Sequence, residues 1–156
     1  MKKLLVSALI WGSLATTAIA EMSDRPGWWV QKTDKPYDTL VDDVKSAVKA
    51  NKFGVVTQAG PTGAAKRRGI TIPGNRVIGV FNNVYAVRIL NLSTAAMIEA
   101  PIRMYVTENE DGTATLSYKE PSTVFAPYIE EAGPDLAAAA ADLDNDFRNI
   151  AAAAVK

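Results

Sequence analysis

The 156-residue chain contains no cysteine and no histidine. Without cysteine it can form no disulfide, and no thiol is available to carry the lipid of a bacterial lipoprotein. Without histidine it lacks the commonest general base, which excludes Ser-His-Asp and Cys-His catalysis and nearly all zinc and copper sites. We therefore expect no metal and no cofactor, and a fold that is stabilised by packing alone.

An excess of charge of either sign is also lacking. The 17 lysines and arginines balance 17 aspartates and glutamates, so the formal net charge is zero at pH 7. Proteins that bind nucleic acids need a basic surface to neutralise phosphates, and we expect no nucleic-acid partner here. After residue 20 no apolar run approaches the roughly 20 residues that span a bilayer, so we expect no membrane contact beyond the N-terminal segment.

The first twenty residues have the layout of a secretory signal peptide. Lys2 and Lys3 give a positive start, residues 4–14 are mainly apolar, and Ala18-Ile19-Ala20 is a small-x-small cleavage site. A membrane anchor is the alternative, but small and polar residues shorten the apolar run below the length that spans a bilayer. We expect cleavage after Ala20 and export to the periplasm, which leaves a single domain at residues 21–156.

Strand and helix patterns alternate along residues 21–156. The patterns predict strands at 28–31, 53–57 and 77–81, a hairpin at 101–118, one or two helical turns within 60–69, and helices from an Asp38 N-cap, at 84–92 and at 135–155. Most strands have one apolar and one polar face, and each helix has one apolar stripe. This order predicts an α+β fold, a two-layer sandwich in which helices cover one face of a largely antiparallel sheet.

Three helices and one connector carry more detailed predictions. The first helix buries Leu40, Val44 and Val48, and residues 33–35 connect it to the first strand. The short helix at 84–92 turns Val84, Val87 or Arg88, and Leu92 inward. The long C-terminal helix is alanine-rich, and its apolar stripe consists of Leu136, Ala140, Leu143, Phe147, Ile150 and Ala154.

The register of the hairpin follows from its two apolar sets. A two-residue turn at Asp111-Gly112 would place apolar residues of one strand opposite polar residues of the other. A three-residue loop that adds Glu110 instead pairs Val106 with Leu116 and Met104 with Tyr118. Because a slip of one residue turns every side chain to the other face, burial selects the second arrangement. It requires Gly112 in the left-handed conformation.

The polar face of this hairpin is the strongest candidate for a functional surface. Arg103 and Tyr105 lie on it within a field of threonines and serine, at Thr107, Thr113, Thr115 and Ser117. Arginine and tyrosine are enriched in interfaces, so the face could bind a ligand or a second subunit. An ordinary solvated sheet face is the alternative, because a sheet with helices on one side leaves its other side wet or paired.

Three other segments offer weaker candidates. Asn82 and Asn83 follow a strand, where they could bind a ligand or cap the next helix, and Arg88 on that helix is a further binding candidate. The glycine-rich segment 60–74 holds Lys66-Arg67-Arg68 and could hold an anion, but it matches no phosphate-loop motif and reads better as a capped turn. The acidic run at 142–146 lacks the glycine and glutamate of a calcium loop and reads as a solvated helix face.

The chain resembles the family known as domain of unknown function 302, in its exported proteobacterial form. The resemblance lies in segments such as Ile72-Pro73-Gly74-Asn75, Ala86-Val87-Arg88-Ile89-Leu90 and Tyr105-Val106-Thr107-Glu108-Asn109, and it covers about residues 35–130. It implies a small α+β domain, often dimeric, without an established activity. Other members carry a cysteine after the glycine of the third strand, whereas Gly79-Val80-Phe81-Asn82 here has none.

Three functional hypotheses remain open at this point. The leading one is a non-enzymatic periplasmic domain that binds a small molecule or a periplasmic protein, with no catalytic residue assigned. A hydrolase or isomerase that uses carboxylates and Tyr105 is the second, and a purely structural homodimer is the third. A concave pocket beside Arg103 and Tyr105 favours ligand binding, two converging carboxylates favour the enzyme, and a flat apolar sheet edge or face favours the dimer.

The signal peptide yields a direct prediction. Protein recovered from the periplasm of an expressing bacterium should begin at Glu21, because the signal peptidase cleaves after the small residue that ends Ala18-Ile19-Ala20. N-terminal sequencing of that protein checks this. Recovery of the protein from membranes with Met1 intact would show that the segment is an anchor.

Overall fold

The computed structural model describes residues 22–156, so the predicted signal peptide and cleavage site lie outside the described residues. Five strands are formed by Trp28–Pro36 (β1), Gly54–Ala59 (β2), Asn75–Phe81 (β3), Ile102–Glu108 (β4) and Thr113–Lys119 (β5). Six α-helices are formed by Tyr37–Ala50 (α1), Thr62–Arg67 (α2), Asn83–Leu92 (α3), Pro121–Phe125 (α4), Ile129–Ala132 (α5) and Pro134–Ala154 (α6). Short 3-10 turns occupy Ala96–Glu99 and Ala126–Tyr128.

The strands form one open sheet in the order β1-β5-β4-β3-β2, and every neighbouring pair is antiparallel. One face of the sheet is buried under α1, α3 and α6 in a single apolar core. The predicted α+β sandwich with a long C-terminal helix is therefore confirmed. No helix within residues 22–156 combines the length and the apolar character needed to cross a bilayer.

The start of α1 differs from the prediction, although its buried stripe does not. Leu40, Val44 and Val48 are fully buried, as their spacing predicts. The prediction that Asp38 is the N-cap is wrong, because the N-cap is Pro36, two residues earlier, and the helix begins at Tyr37. The ring of Pro36 fixes φ at −58°, which sets the chain direction without a side-chain cap. Asp38 lies in the first turn, where its charge favours the helix dipole.

Residues 33–35 are part of β1, so the prediction that they form a connector is wrong. The reason is a side-chain hydrogen bond, since the buried Thr33 hydroxyl donates to the carbonyl of Ala114 on β5 over 2.8 Å. The ladder is irregular there, because three residues of β1 (33–35) lie between the pairs Lys32–Thr115 and Pro36–Thr113, against the single residue Ala114 on β5. The opposite edge is irregular too, since Val56 of β2 is an extra residue between two successive pairs with β3.

The inner stripe predicted for α3 is wrong except at Leu92, which packs against the core. Val84 is 77% exposed and Val87 is 50% exposed, whereas Ala86 and Ile89 are buried. The helix is rotated because Tyr85, a residue of α3 itself, packs its ring on Phe53, with the two ring centroids 6.0 Å apart. The short helix carries apolar residues on two faces, so its spacing alone could not identify the inner one.

The long helix α6 packs as predicted. All six residues of its apolar stripe are buried. Phe147 lies at the centre of an aromatic chain, because its ring contacts Tyr118 of β5 at 5.5 Å and Phe53 at 6.2 Å between centroids. Trp29 of β1 extends this chain by stacking on Tyr118 at 5.4 Å. The aromatic rings therefore join both layers of the sandwich.

The hairpin has the predicted register. Val106 pairs with Leu116 and Met104 pairs with Tyr118, and all four side chains are buried on the helix-covered side. The loop contains three residues, and Gly112 closes it at φ +80° by donating its N–H to the carbonyl of Asn109.

A substitution at Gly112 tests this loop. An ideal Cβ at Gly112 would meet no atom within 4 Å, so Gly112→Ala should be destabilising through backbone strain alone, by about 1 kcal/mol. Gly63 is the matched control, because it lies in α2 at an ordinary φ and a Cβ would meet only the tip of Arg67 at 3.9 Å. Gly63→Ala should stabilise by about 0.5 kcal/mol. Urea denaturation measures both, and equal effects would contradict the strained turn.

Candidate functional site

The face of the sheet away from the helices, called the open face below, carries Arg103 and Tyr105 as predicted. The register places Tyr105 between Ser117 of β5 and Val77 of β3. Continuing the β4–β5 register by one residue places Arg103 across from Lys119, which itself pairs with Trp28 of β1. Side chains directly opposite on adjacent strands have Cβ atoms about 5 Å apart. Trp28, Lys119 and Arg103 therefore form one row across the open face, and Tyr105 belongs to the next row.

A concave cavity of about 370 Å³, the first cavity below, lies over these rows. The 3-10 turn after α3 and helix α4 add Glu99 and Val124 to its wall. Its described lining residues are Trp28, Asn75, Val77, Glu99, Ile102, Arg103, Tyr105, Lys119 and Val124. The lining combines an apolar floor with a few charged and hydrogen-bonding groups, a composition typical of small-molecule sites.

The charges around the first cavity are mainly positive. The Lys119 ammonium lies 5.7 Å from the centroid of the Trp28 ring, and the Arg25 guanidinium lies 5.3 Å from it. Neither Lys119 nor Arg103 forms an ion pair with a carboxylate of residues 22–156. Glu99 accepts a hydrogen bond of 2.8 Å from the Tyr128 hydroxyl, which raises the pKa of Tyr128.

A second cavity of about 270 Å³ continues the open face toward the hairpin loop. Tyr105 and Asn75 line both cavities, and the Asn75 amide donates to the Tyr105 hydroxyl over 2.5 Å. Glu108 also lines the second cavity, where its carboxylate accepts the N–H of Gly74 over 2.5 Å. The Thr107 hydroxyl is buried there without a hydrogen-bond partner in residues 22–156. The Tyr105–Asn75 pair therefore separates two cavities of different composition.

The other predicted binding residues lie elsewhere. Asn82 caps α3, because its side-chain oxygen accepts the N–H groups of Val84 at 2.9 Å and Tyr85 at 3.4 Å. The capping interpretation of Asn82 is therefore confirmed, and Asn83 is the first residue of the helix. Arg88 forms an ion pair of 2.7 Å with Asp142 of α6. None of the three lines either cavity, so the structure does not bring them together with Arg103 and Tyr105.

The glycine-rich segment is a capped turn, as predicted, and the acidic run lies on a helix, as predicted, but its face is not merely solvated, because its aspartates contact other elements. Helix α2 ends at Arg67, and two residues later Gly69 adopts φ +74°, so that the next N–H returns to the carbonyl of Ala65 over 3.0 Å. In α6, Asp142 pairs with Arg88, while Asp144 accepts a backbone N–H and Asp146 accepts the Tyr85 hydroxyl. Within residues 22–156, no acidic side chains converge in a group that could hold a metal.

Sequence reasoning missed Trp28, Lys119, Glu99 and Asn75 as cavity residues. Trp28 could have been found, because a strand sends Trp28 and Trp29 to opposite faces and only one of them can enter the core. The pairing of β1 with β5, which brings Trp28 to Lys119, joins residues about 90 positions apart. Glu99 and Asn75 belong to irregular segments or strand ends whose direction no pattern in the sequence gives.

Comparison with known proteins gives a family and a related structure. The family described as domain of unknown function DUF302 matches residues 29–154. An uncharacterised conserved DUF302 protein from Bacillus stearothermophilus, solved by crystallography, is 18% identical in sequence with a TM-score of 0.71. The alignment covers 85% of this chain and 100% of that protein, and at this identity it supports the fold alone. No curated protein matches the chain.

The hydrogen bond from Tyr85 of α3 to Asp146 of α6 predicts that the fold loses stability at alkaline pH. Burial, and then the hydrogen bond from the Tyr85 hydroxyl to Asp146, raise the pKa of Tyr85 from 10.0 to about 12. A folded-state pKa above the unfolded value favours folding below pH 10, and this contribution is lost as the pH rises through 12. The stability difference between wild type and Tyr85→Phe should therefore shrink from pH 9 to pH 12. Urea denaturation across this range measures it, and a constant difference would contradict the proposed linkage.

Proposed function

The chain belongs to the DUF302 family, whose description names no activity, and we propose that its domain binds a small organic molecule in the first cavity of the open face. The observation that carries this proposal is the cavity of about 370 Å³ beside Arg103 and Tyr105. Its volume lies within the range of about 300–1,000 Å³ that is usual for ligand sites.

The location of the cavity on paired strands supports this proposal. Arg103 and Tyr105 lie on β4, which is hydrogen-bonded on both sides and packed against the core through Ile102 and Met104. Groups held by such strands keep their positions better than groups on loops, so binding costs less ordering entropy. The apolar floor can contact a ligand body, and the polar groups can orient it.

The carboxylate-and-tyrosine enzyme has less support from this cavity. Glu99 is the single carboxylate among its described lining residues, and Tyr128 donates a hydrogen bond to it. An acid–base pair would need two carboxylates that converge on one substrate. In the second cavity the Glu108 carboxylate accepts the N–H of Gly74, which ties it to the backbone. Binding without chemistry is therefore the simpler function for this face.

A second candidate function is association with a protein partner or a second copy. The observation that favours it is an apolar surface on α3 and the turn that follows, where Val84 and Ile98 are each more than three-quarters exposed and Val87 and Leu90 are about half exposed. Apolar surfaces of this kind commonly mark contact sites. The surface lies on a helix and not on a sheet edge. We place both functions in the periplasm, on the strength of the predicted signal peptide.

A substitution that fills the cavity tests the main proposal. Val77 lines the first cavity from β3, and Val77→Trp should occupy much of its volume while the strand stays paired. Ligand-observed NMR against a library of neutral, anionic and cationic fragments should find binders to the wild type that Val77→Trp loses. Native mass spectrometry of periplasmic protein, run in parallel, reports the subunit count and any retained ligand.

The control for this experiment is Val56→Trp. Val56 is 52% exposed on the edge strand β2 and lines neither cavity, so the variant adds the same ring elsewhere on the sheet. Fragment binding should survive in this variant. Fragments that still bind to both variants would show that the first cavity is not the binding site. A dimer that binds no fragment would favour the second candidate function, association with a protein partner or a second copy.

A further inference from the structure

The first cavity contains two basic side chains on adjacent strands, Arg103 and Lys119, and neither is ion-paired with a carboxylate of residues 22–156. Arg103 and Lys119 are opposite each other on neighbouring strands, and like charges in this position repel and destabilise a sheet. Glu99, the acidic residue of the same wall, accepts a hydrogen bond from the neutral Tyr128 hydroxyl, so the described lining holds two basic side chains against one acidic one. A bound anion between the two cations would turn this repulsion into attraction.

The apolar part of the same cavity is adjacent to these cations. Trp28 is the cross-strand neighbour of Lys119, and Val77, Ile102 and Val124 complete the apolar lining. A free inorganic ion would leave this surface in contact with water. A ligand with an acidic head and an apolar body would instead cover it, at a gain of roughly 25 cal/mol for each Å² removed from water.

We propose that the first cavity selects an amphipathic organic anion, whose acidic head lies between Arg103 and Lys119 and whose apolar body lies against Trp28. This rests on the proposed function and adds the chemical class of the ligand. The planar guanidinium of Arg103 can donate two parallel hydrogen bonds to a carboxylate or phosphate. The hydroxyl of Tyr105 and the amide of Asn75, which line the second cavity as well, are further hydrogen-bonding groups of this cavity.

The position of Trp28 provides an optical readout. Of the three tryptophans, Trp11 lies in the predicted signal peptide, Trp28 faces the cavity, and Trp29 stacks on Tyr118 in the core. A ligand on the open face should change the emission of Trp28 alone. Trp28→Phe should abolish the fluorescence response, and Trp29→Phe should retain it.

The test uses three probes of one shape and different charge: 3-phenylpropanoate, 3-phenylpropanamide and 3-phenylpropylamine. None absorbs where tryptophan is excited at the red edge of its band. The mature protein, residues 21–156, should bind the carboxylate about tenfold more tightly than the amide, and the amine most weakly, because charge-assisted hydrogen bonds are the stronger ones. Added salt should weaken the binding of the carboxylate more than the binding of the amide. Phenyl phosphate extends the series to a phosphate as the acidic group, and inorganic phosphate tests that group without an apolar ring.

Two arginine variants separate a local site from a general charge effect. Arg103→Gln should reduce the carboxylate-to-amide ratio to near one and leave amide binding intact. Arg68→Gln removes the same charge from the exposed turn after α2, away from the cavity, and should keep the ratio. Circular dichroism of each variant confirms that the fold is retained.

The outcomes distinguish this inference from the function on which it rests. The anion site is overturned if the protein binds the carboxylate and the amide equally, or if Arg103→Gln and Arg68→Gln lose carboxylate binding to the same extent. It is also overturned if only neutral fragments bind and Val77→Trp abolishes their binding. In that last case the cavity remains a binding site for another class. Inorganic phosphate that binds as tightly as phenyl phosphate overturns the role of Trp28. Tight binding of either amphipathic anion, lost in Arg103→Gln, supports the proposal.

Discussion

The register of the β4–β5 hairpin is the constraint on which both faces of the sheet depend. The three-residue loop closed by Gly112 places Met104 and Val106 under the helices, and this same choice places Arg103 and Tyr105 on the open face. A slip of one residue would exchange the two sets. The core and the cavity are therefore two results of one backbone arrangement, and neither could be altered at this hairpin without the other.

The aromatic chain explains how a small domain without disulfides holds its two layers together. Trp29, Tyr118, Phe147 and Phe53 contact one another in sequence from the edge strand β1 to the helices. Aromatic side chains bury large areas and gain further from their offset and edge-on geometries. Trp29 belongs to this aromatic chain and stabilises the fold, whereas its neighbour Trp28 lines the first cavity.

Most of the fold could be predicted from the sequence because burial imposes strict periods. The apolar stripes of α1 and α6 and the alternating pattern of β4 each allow one choice of buried face. The prediction was wrong where two arrangements had similar patterns, as in α3, whose valines lie outside while Ala86 and Ile89 lie inside. The site was predicted in part: alternation placed Arg103 and Tyr105 correctly, but the cavity also needs Trp28 and Lys119, which a pairing between distant segments brings to them. Nothing local in the sequence encodes that pairing.

The irregular edges of the sheet have a consequence for how copies of this domain can meet. The extra residue at Val56 in β2 and the mismatch between Lys32 and Pro36 in β1 make the backbone of each border strand irregular. A regular border would act as a template onto which another strand could add, and so lead to continuous ribbons of sheet. Here both borders are poor templates. Strand addition at these borders is therefore disfavoured at high concentration, which leaves side-chain surfaces, such as the open face or the apolar residues of α3, as the places where copies could meet.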